Sequence, residues 1–255
     1  MCLILLAYQF HRDYPLIIAA NRDEFYNRPT LPAGFWKDSP SILGGRDLKN
    51  MGTWFGVTRN GRFAAVTNYR DPSLMLENAK SRGELVSNFL KSNDKPLDYL
   101  NHVKVIAEHF NGFNLLVGDT SGCWIYSKVT NIIEELRPGI HGLSNHLLNT
   151  PWPKILKGQR QLEKCLQNQP NIEVESLFKI LADPKRAKTE DLPDTGVGLK
   201  KEKMLSSIFI KSPSYGTRSS TIFLVNHKNH VLFTERSFIH NQANEVSYEF
   251  DISKD

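Results

Sequence analysis

Met1-Cys2-Leu3-Ile4-Leu5-Leu6-Ala7-Tyr8 opens the chain, and Tyr14-Pro15-Leu16-Ile17-Ile18-Ala19-Ala20-Asn21-Arg22-Asp23-Glu24 answers it across the polar His11-Arg12-Asp13. Two β-rich apolar runs around a short polar link read as a hairpin. Both runs are continuously apolar, not alternating, so the strands are expected to be covered on both faces. The second run ends in an arginine and two carboxylates, and the hairpin brings Arg22 and Asp23 beside Cys2. If Met1 is removed, Cys2 carries a thiol and a free α-amine on one residue, which is a nucleophile with its own base.

The rest of the chain supplies strands and helices around that hairpin. Residues 53–58 and 62–68 flank Arg59-Asn60-Gly61, where Asn-Gly favours a type I′ turn. Ser81-Arg82-Gly83-Glu84 has capping-box spacing ahead of an apolar helix, and residues 96–110 place Leu97, Leu100, Val103, Ile106 and Ala107 on one helical face. Residues 113–117, 123–128 and 132–136 read as strands, 152–166 and 173–181 as amphipathic helices, and 205–210, 219–225, 231–235 and 246–250 as a closing set of strands. The aromatic, proline-rich stretch 25–40, the Gly-punctuated 138–146 and the charged 183–203 read as irregular, the last as a candidate mobile lid. Strands at both ends with helices between them predict a layered α+β sandwich whose terminal strands meet in the sheet centre.

A chain of 255 residues with 40% hydrophobic content suits one large domain, and no linker divides 1–255. The net charge of +5 is spread along the sequence without a basic, aromatic-laced stripe, which argues for anionic small molecules and against nucleic acid. Cys2, Cys123 and Cys165 form neither a disulfide framework nor a zinc motif, so a reducing compartment is expected. His102 and His109 have no third ligand nearby, and no metal is expected. The opening run lacks a signal peptide's basic start, and no apolar stretch is long enough to span a bilayer, so a cytoplasmic protein is expected.

The chemistry assigns further roles. Arg22 favours the thiolate of Cys2 electrostatically. The α-amine, with a reference pKa of about 8, accepts the thiol proton, and Asp23 orients the ammonium. Asn68 and Asn145 both end apolar runs beside turn or small residues, and their amides suit an oxyanion. Arg218, at a strand start, suits a site carboxylate or a substrate anion.

The run Met1-Cys2, followed by Ala19-Ala20-Asn21-Arg22-Asp23-Glu24-Phe25-Tyr26-Asn27-Arg28-Pro29, resembles the NRDE family, which includes the transport and Golgi organisation protein 2 homologues. Gly52-Thr53-Trp54-Phe55-Gly56, Ser81-Arg82-Gly83-Glu84, Gly142-Leu143-Ser144-Asn145, Thr150-Pro151-Trp152-Pro153-Lys154 and Tyr215-Gly216-Thr217-Arg218 extend the likeness over nearly the whole chain. The resemblance implies the N-terminal nucleophile hydrolase superfamily and its four-layer αββα sandwich. It also implies the motif order of the cholylglycine hydrolase branch: Cys2, Arg22, an Asp, Asn68, Asn145 and Arg218. In that branch two residues separate the Arg from the Asp, whereas Arg22 and Asp23 are adjacent and on a regular strand would face opposite ways. Either the strand end is irregular or Glu24 rivals Asp23.

The set of candidate groups points to amide or thioester hydrolysis of a hydrophobic acyl substrate, with no cofactor required. The family also implies roles in handling haem, acyl-CoA and lipid. A non-catalytic carrier of such a hydrophobic anion is therefore the alternative, with haem as a transported ligand.

Overall fold

The computed structural model describes residues 2–167, 172–239 and 242–253. In chain order the strands are β1 (Cys2–Tyr8), β2 (Leu16–Phe25), β3 (Thr30–Trp36), β4 (Ser39–Asp47), β5 (Phe55–Thr58), β6 (Phe63–Asn68), β7 (Phe113–Asp119), β8 (Gly122–Ser127), β9 (Ile132–Glu135), β10 (Gly139–Leu143), β11 (Tyr215–Val225), β12 (His230–Ile239) and β13 (Gln242–Asp251). The helices are α1 (Arg82–Lys91), α2 (Pro96–Ile106), α3 (Pro153–Gln167), α4 (Val174–Leu181) and α5 (Leu199–Leu205). The chain divides into two compact units, Met1–Asn27 with Pro138–Glu249, and Arg28–Arg137 with Phe250–Asp255. Each is built on an antiparallel sheet, as expected of the α+β class.

The first unit's sheet has the order β10-β1-β2-β11-β12-β13. The opening hairpin sits inside it, and β2 pairs with β11, so an early and a late strand meet in the sheet interior, although the last strand does not. The later C-terminal strands continue outward, with β13 at the edge. Leu3, Leu5, Ala7, Ile17 and Ala19 face α3 and α4 in one apolar cluster with Leu162, Leu177 and Leu181. Ile4, Leu6 and Ile18, on the other face, are also buried, which is why the two runs carry no polar alternation.

The second unit's sheet runs β3-β4-β5-β6-β7-β8-β9, with α1 and α2 packed on it through Leu85, Phe89, Leu100, Val103, Phe113 and Tyr126. Gly52 and Gly83 allow this helix to start close to the sheet. A Cβ on Gly52 would lie 2.6 Å from the Gly83 carbonyl carbon and 3.0 Å from the Glu84 nitrogen, all main chain. Gly52→Ala is therefore expected to cost about 2 kcal/mol through overpacking. That corresponds to a fall of roughly 4–8 °C in Tm for a chain of this size. An unchanged melt would mean that the start of α1 gives way freely.

Several local expectations are corrected. The stretch 25–40 is not a loop: β2 runs to Phe25, and β3 with β4 forms an irregular hairpin in which Pro32 sits on an edge strand, where its missing N–H breaks no ladder bond. The 59–61 connection is not a type I′ turn. It is a three-residue loop in which Gly61 is left-handed at φ 83° while Asn60 is not. Helix α1 begins after Ser81 without a side-chain cap bond. Residues 138–146 contain β10, which pairs with β1.

The 183–203 segment is not featureless, since it holds a 3-10 turn at Thr189–Asp191 and the start of α5. It is pinned by buried Glu202, which accepts from the Thr195 amide at 2.9 Å and the Thr195 hydroxyl at 2.6 Å. Residues 205–210 form no strand, because α5 runs into Leu205 and the following turn is tied to β11 by Thr217. The misses at 138–146, 183–203 and 205–210 involve a polar side-chain tie or a pairing partner distant in sequence, and neither leaves a period.

Candidate active site

The β1–β2 register sets Cys2 directly opposite Arg22 and Leu3 opposite Asn21. Opposed residues of an antiparallel pair share a face, so the thiol and the buried guanidinium stand side by side. Asn21 points to the helix side. Its amide donates to the carbonyls of Leu181 and Ile208, each at 2.9 Å, and its oxygen accepts from Ser220 Oγ at 2.6 Å. It is a structural tie between β2, β11 and the helical layer.

The β2 end keeps a regular register against β1 through Arg22, and the irregularity of its other pairing lies on the partner strand. In β11, Thr217 pairs with Asp23 and Ser219 with Arg22, which leaves Arg218 as an extra, bulged residue. A bulge turns the strand locally and re-aims side chains. Asp23 is 1% exposed, and its Oδ1 accepts from Thr217 Oγ1 at 2.7 Å. The Tyr215 hydroxyl donates to the Asp23 carbonyl at 3.0 Å, and the Asp23 amide bonds the Cys2 sulfur. Glu24, the rival carboxylate, is partly exposed and accepts from the Phe25 amide at 2.8 Å.

Beyond β10 the chain continues along β1 into Ser144 and Asn145, both buried. The single Ser144 hydroxyl hydrogen has two acceptors in reach, the Cys2 carbonyl at 3.0 Å and Asn145 Oδ1 at 3.2 Å. This orients the Asn145 amide next to the strand that carries the thiol. Arg218 is half-buried on its bulge, with Nη1 donating to the carbonyls of Phe25 at 2.8 Å and Tyr26 at 3.1 Å. Asn68 lies in the second unit, at the end of β6 opposite Phe113. The first unit thus brings together Cys2, Arg22, Asp23 and Asn145, with Arg218 one bulge away.

Four neighbours escaped the sequence reading. Lys154, in the first turn of α3, is 3% exposed, and its charge acts on Asp23. A charged residue beside Ile155 on a buried helical face was the available signal. Thr217, Tyr215 and Ser144 lie within motif stretches but carry no pattern that distinguishes a ligand of Asp23 or Asn145 from an ordinary strand residue.

Burial pushes the Cys2 thiol up, and Asp23 adds to this while Arg22 opposes it. Burial also raises Asp23, against Lys154, Thr217 and Arg22. Tyr215 is pushed well above its ordinary value by burial and by the negative groups around it, so it acts only as a neutral donor. Because folding raises the Asp23 pKa above the unfolded value of 3.8, the native state binds more protons than the unfolded state. The Asp23 contribution to stability is full below that value and is lost as pH rises through the folded pKa. Asp23→Asn in the chain as it stands is expected to remove this dependence and raise Tm at pH 7, as melts at pH 4 and pH 7 would show. A lower Tm in Asp23→Asn at pH 7 would mean that the ionised carboxylate is net stabilising.

All three cysteines are free thiols, and no group of three or more His, Cys, Asp or Glu among the described residues could hold a metal ion. No helix of the described residues is long and apolar enough to cross a membrane.

The α+β scaffold of antiparallel sheets with helices packed on them has the N-terminal nucleophile hydrolase fold. A solved structure of a mutant conjugated bile acid hydrolase from Clostridium perfringens matches with a TM-score of 0.55 at 10% identity, over 99% of this chain and 97% of that one. A second variant of that enzyme matches at 0.53. Identity this low establishes the fold alone. The family model for Transport and Golgi organisation 2 matches residues 1–240. The human Transport and Golgi organization protein 2 homolog is 37% identical over 259 residues, covering 94% of each chain, and the Drosophila melanogaster protein is 27% identical over 93% of each. The chain belongs to the Transport and Golgi organisation 2 family.

Proposed function

We infer that the chain is a cysteine N-terminal nucleophile hydrolase that cleaves the amide or thioester bond of a hydrophobic acyl compound. The observation that carries this reading is the pairing of Cys2 with buried Arg22, with Asp23 and its buried partners alongside. Met1 lies outside the described residues, and the mechanism starts once it is removed. The Cys2 amine then takes the thiol proton, and the sulfur attacks the acyl carbonyl carbon. The Asn145 amide donates to the resulting oxyanion. Collapse expels the amine or thiol, which takes up the proton held by the Cys2 ammonium. Water, deprotonated by the same amine, hydrolyses the thioester and restores the thiol.

Arg22 favours the thiolate, and Asp23 positions the ammonium with Lys154 balancing its charge. Phe25 is 55% exposed and Tyr26 40% exposed at the end of β2, where Arg218 binds their carbonyls. An aromatic edge beside an arginine suits an acyl chain that also bears an anion. A reactive thiol of this kind requires a reducing compartment.

A carrier of haem or acyl-CoA is favoured instead if Met1 is retained, because burial then holds the thiol protonated. The test is the intact mass of native protein before and after a thiol-directed acylating probe. A mass lacking Met1, and one acyl group that disappears in Cys2→Ser, supports the hydrolase. Retained Met1 without an adduct at Cys2 rejects it, and saturable haem or acyl-CoA binding unaffected by Cys2→Ser would then identify the carrier.

A further inference from the structure

The second unit contains a cavity of about 510 Å³ between the start of β4, the 59–61 turn and the C-terminal end of α1. Three cations line it, Arg59, Arg62 and Lys91, and no carboxylate does. None of the three has an Asp or Glu within ion-pair distance among the described residues. Of the acids whose charge reaches Lys91 or Arg62, Asp38 is held by the Arg46 fork at 2.9 and 3.2 Å, and Asp94 and Asp119 act on Arg62 only through space.

Arg62 is the built element of the site. It is 7% exposed and lies 4.0 Å over the Phe89 ring, with Nη2 donating to the Phe89 carbonyl at 3.1 Å and Ser92 Oγ at 3.4 Å. Those bonds cap α1 and hold the guanidinium still. They leave Nε–H buried without an acceptor and Nη1 without one among the described residues. A buried charged donor left unmatched is costly, and capping the helix occupies only Nη2, with Nε–H on one side of it and Nη1 on the other. Arg59 is held in turn by stacking 4.0 Å over Phe35.

We propose that this cavity binds a phosphorylated, polar small molecule, with the phosphate held by Arg59, Arg62 and Lys91. Three cations around one cavity exceed what a carboxylate monoanion needs and match a dianion with three acceptor oxygens. Ser41 and Asn60 add polar groups to the lining, and the volume exceeds that of a bare phosphate, which leaves room for a hydroxylated body. The site lies within one unit and does not depend on Cys2.

The test titrates inorganic phosphate and ribose 5-phosphate into the full-length chain at low salt. Saturable one-to-one binding is expected, at least about tenfold tighter for ribose 5-phosphate. The Arg59→Gln/Lys91→Gln double variant is expected to weaken it about tenfold or more while its ligand-free melt is unchanged. Arg62→Lys, which keeps the charge and loses the fork, is expected to weaken it without unfolding the chain. Cys2→Ser is expected to bind as the parent does, so a failed hydrolase reading leaves this result standing. Unchanged affinity in the double variant, binding reproduced by sodium chloride at matched ionic strength, or no preference for ribose 5-phosphate would each overturn the proposal.

Discussion

Asn21→Leu is expected to destabilise the chain by about 4 kcal/mol, because it strands three buried partners at once. The Leu181 and Ile208 carbonyls lose their donor and Ser220 Oγ loses its acceptor, all around a side chain that is 1% exposed. Leucine has nearly the same shape, so the loss is one of hydrogen bonding, not of volume. Each stranded group costs roughly 1–3 kcal/mol, and partial relaxation keeps the sum near the lower end. Ser220→Ala, which removes a single bond, should cost about 1 kcal/mol. Urea denaturation at constant m-value measures both, and a loss below ~1 kcal/mol in Asn21→Leu would mean that water replaces the amide.

Arg22→Gln is expected to slow acylation of Cys2 by about 10²-fold or more in the chain lacking Met1, on the scale of losing one positioned electrostatic group. Arg22 lowers the pKa of both Cys2 and Asp23, so its removal raises both. The pH profile of thiol alkylation should move upward, with less thiolate at every pH below the midpoint. Arg22→Lys should recover part of the rate, since charge persists while the planar fork does not. An unaltered profile in Arg22→Gln would show that the guanidinium is only packing, and a melting curve of the same variant separates that outcome from unfolding.

The four residues Asn21-Arg22-Asp23-Glu24 show how one motif divides its labour. Alternation on β2 sends Asn21 to the helix side and Arg22 to the face of Cys2, and Glu24 ends near the surface on its own backbone. Asp23 is the member that alternation alone cannot assign. Its environment comes from β11, nearly two hundred residues later in the chain, where the bulge at Arg218 sets Thr217 against it. Other motif residues have packing roles. Gly52 and Gly83 belong to separate motif stretches that meet main chain to main chain, and Lys154 ends another by delivering a buried charge to Asp23.

Much was legible because it is local or periodic. The apolar runs 2–8 and 16–20 specify buried strands, the 3.6-residue spacing specifies the main helices, and the order of Cys2, Arg22, Asp23 and Asn145 marks the candidate site. What stayed hidden depends on partners brought in from a distance. The strand at Gly139–Leu143 exists because β1 offers it an edge, and β3 tolerates Pro32 because it is an edge itself. The 183–203 segment is ordered through Glu202, and the cation-lined cavity requires a turn, a strand start and a helix end to converge.

By itself the sequence determined which segments must leave water and which side chains carry chemistry, since burial and reactivity are properties of residue types and their spacing. Only the tertiary structure decided which charge faces which: that Asp23 rests on Thr217 beside Lys154, and that Arg62 turns its Nη2 to a helix end and leaves its Nε–H without an acceptor. Those choices follow from strand register and helix placement, which are settled by the packing of the whole chain and not by any stretch of it.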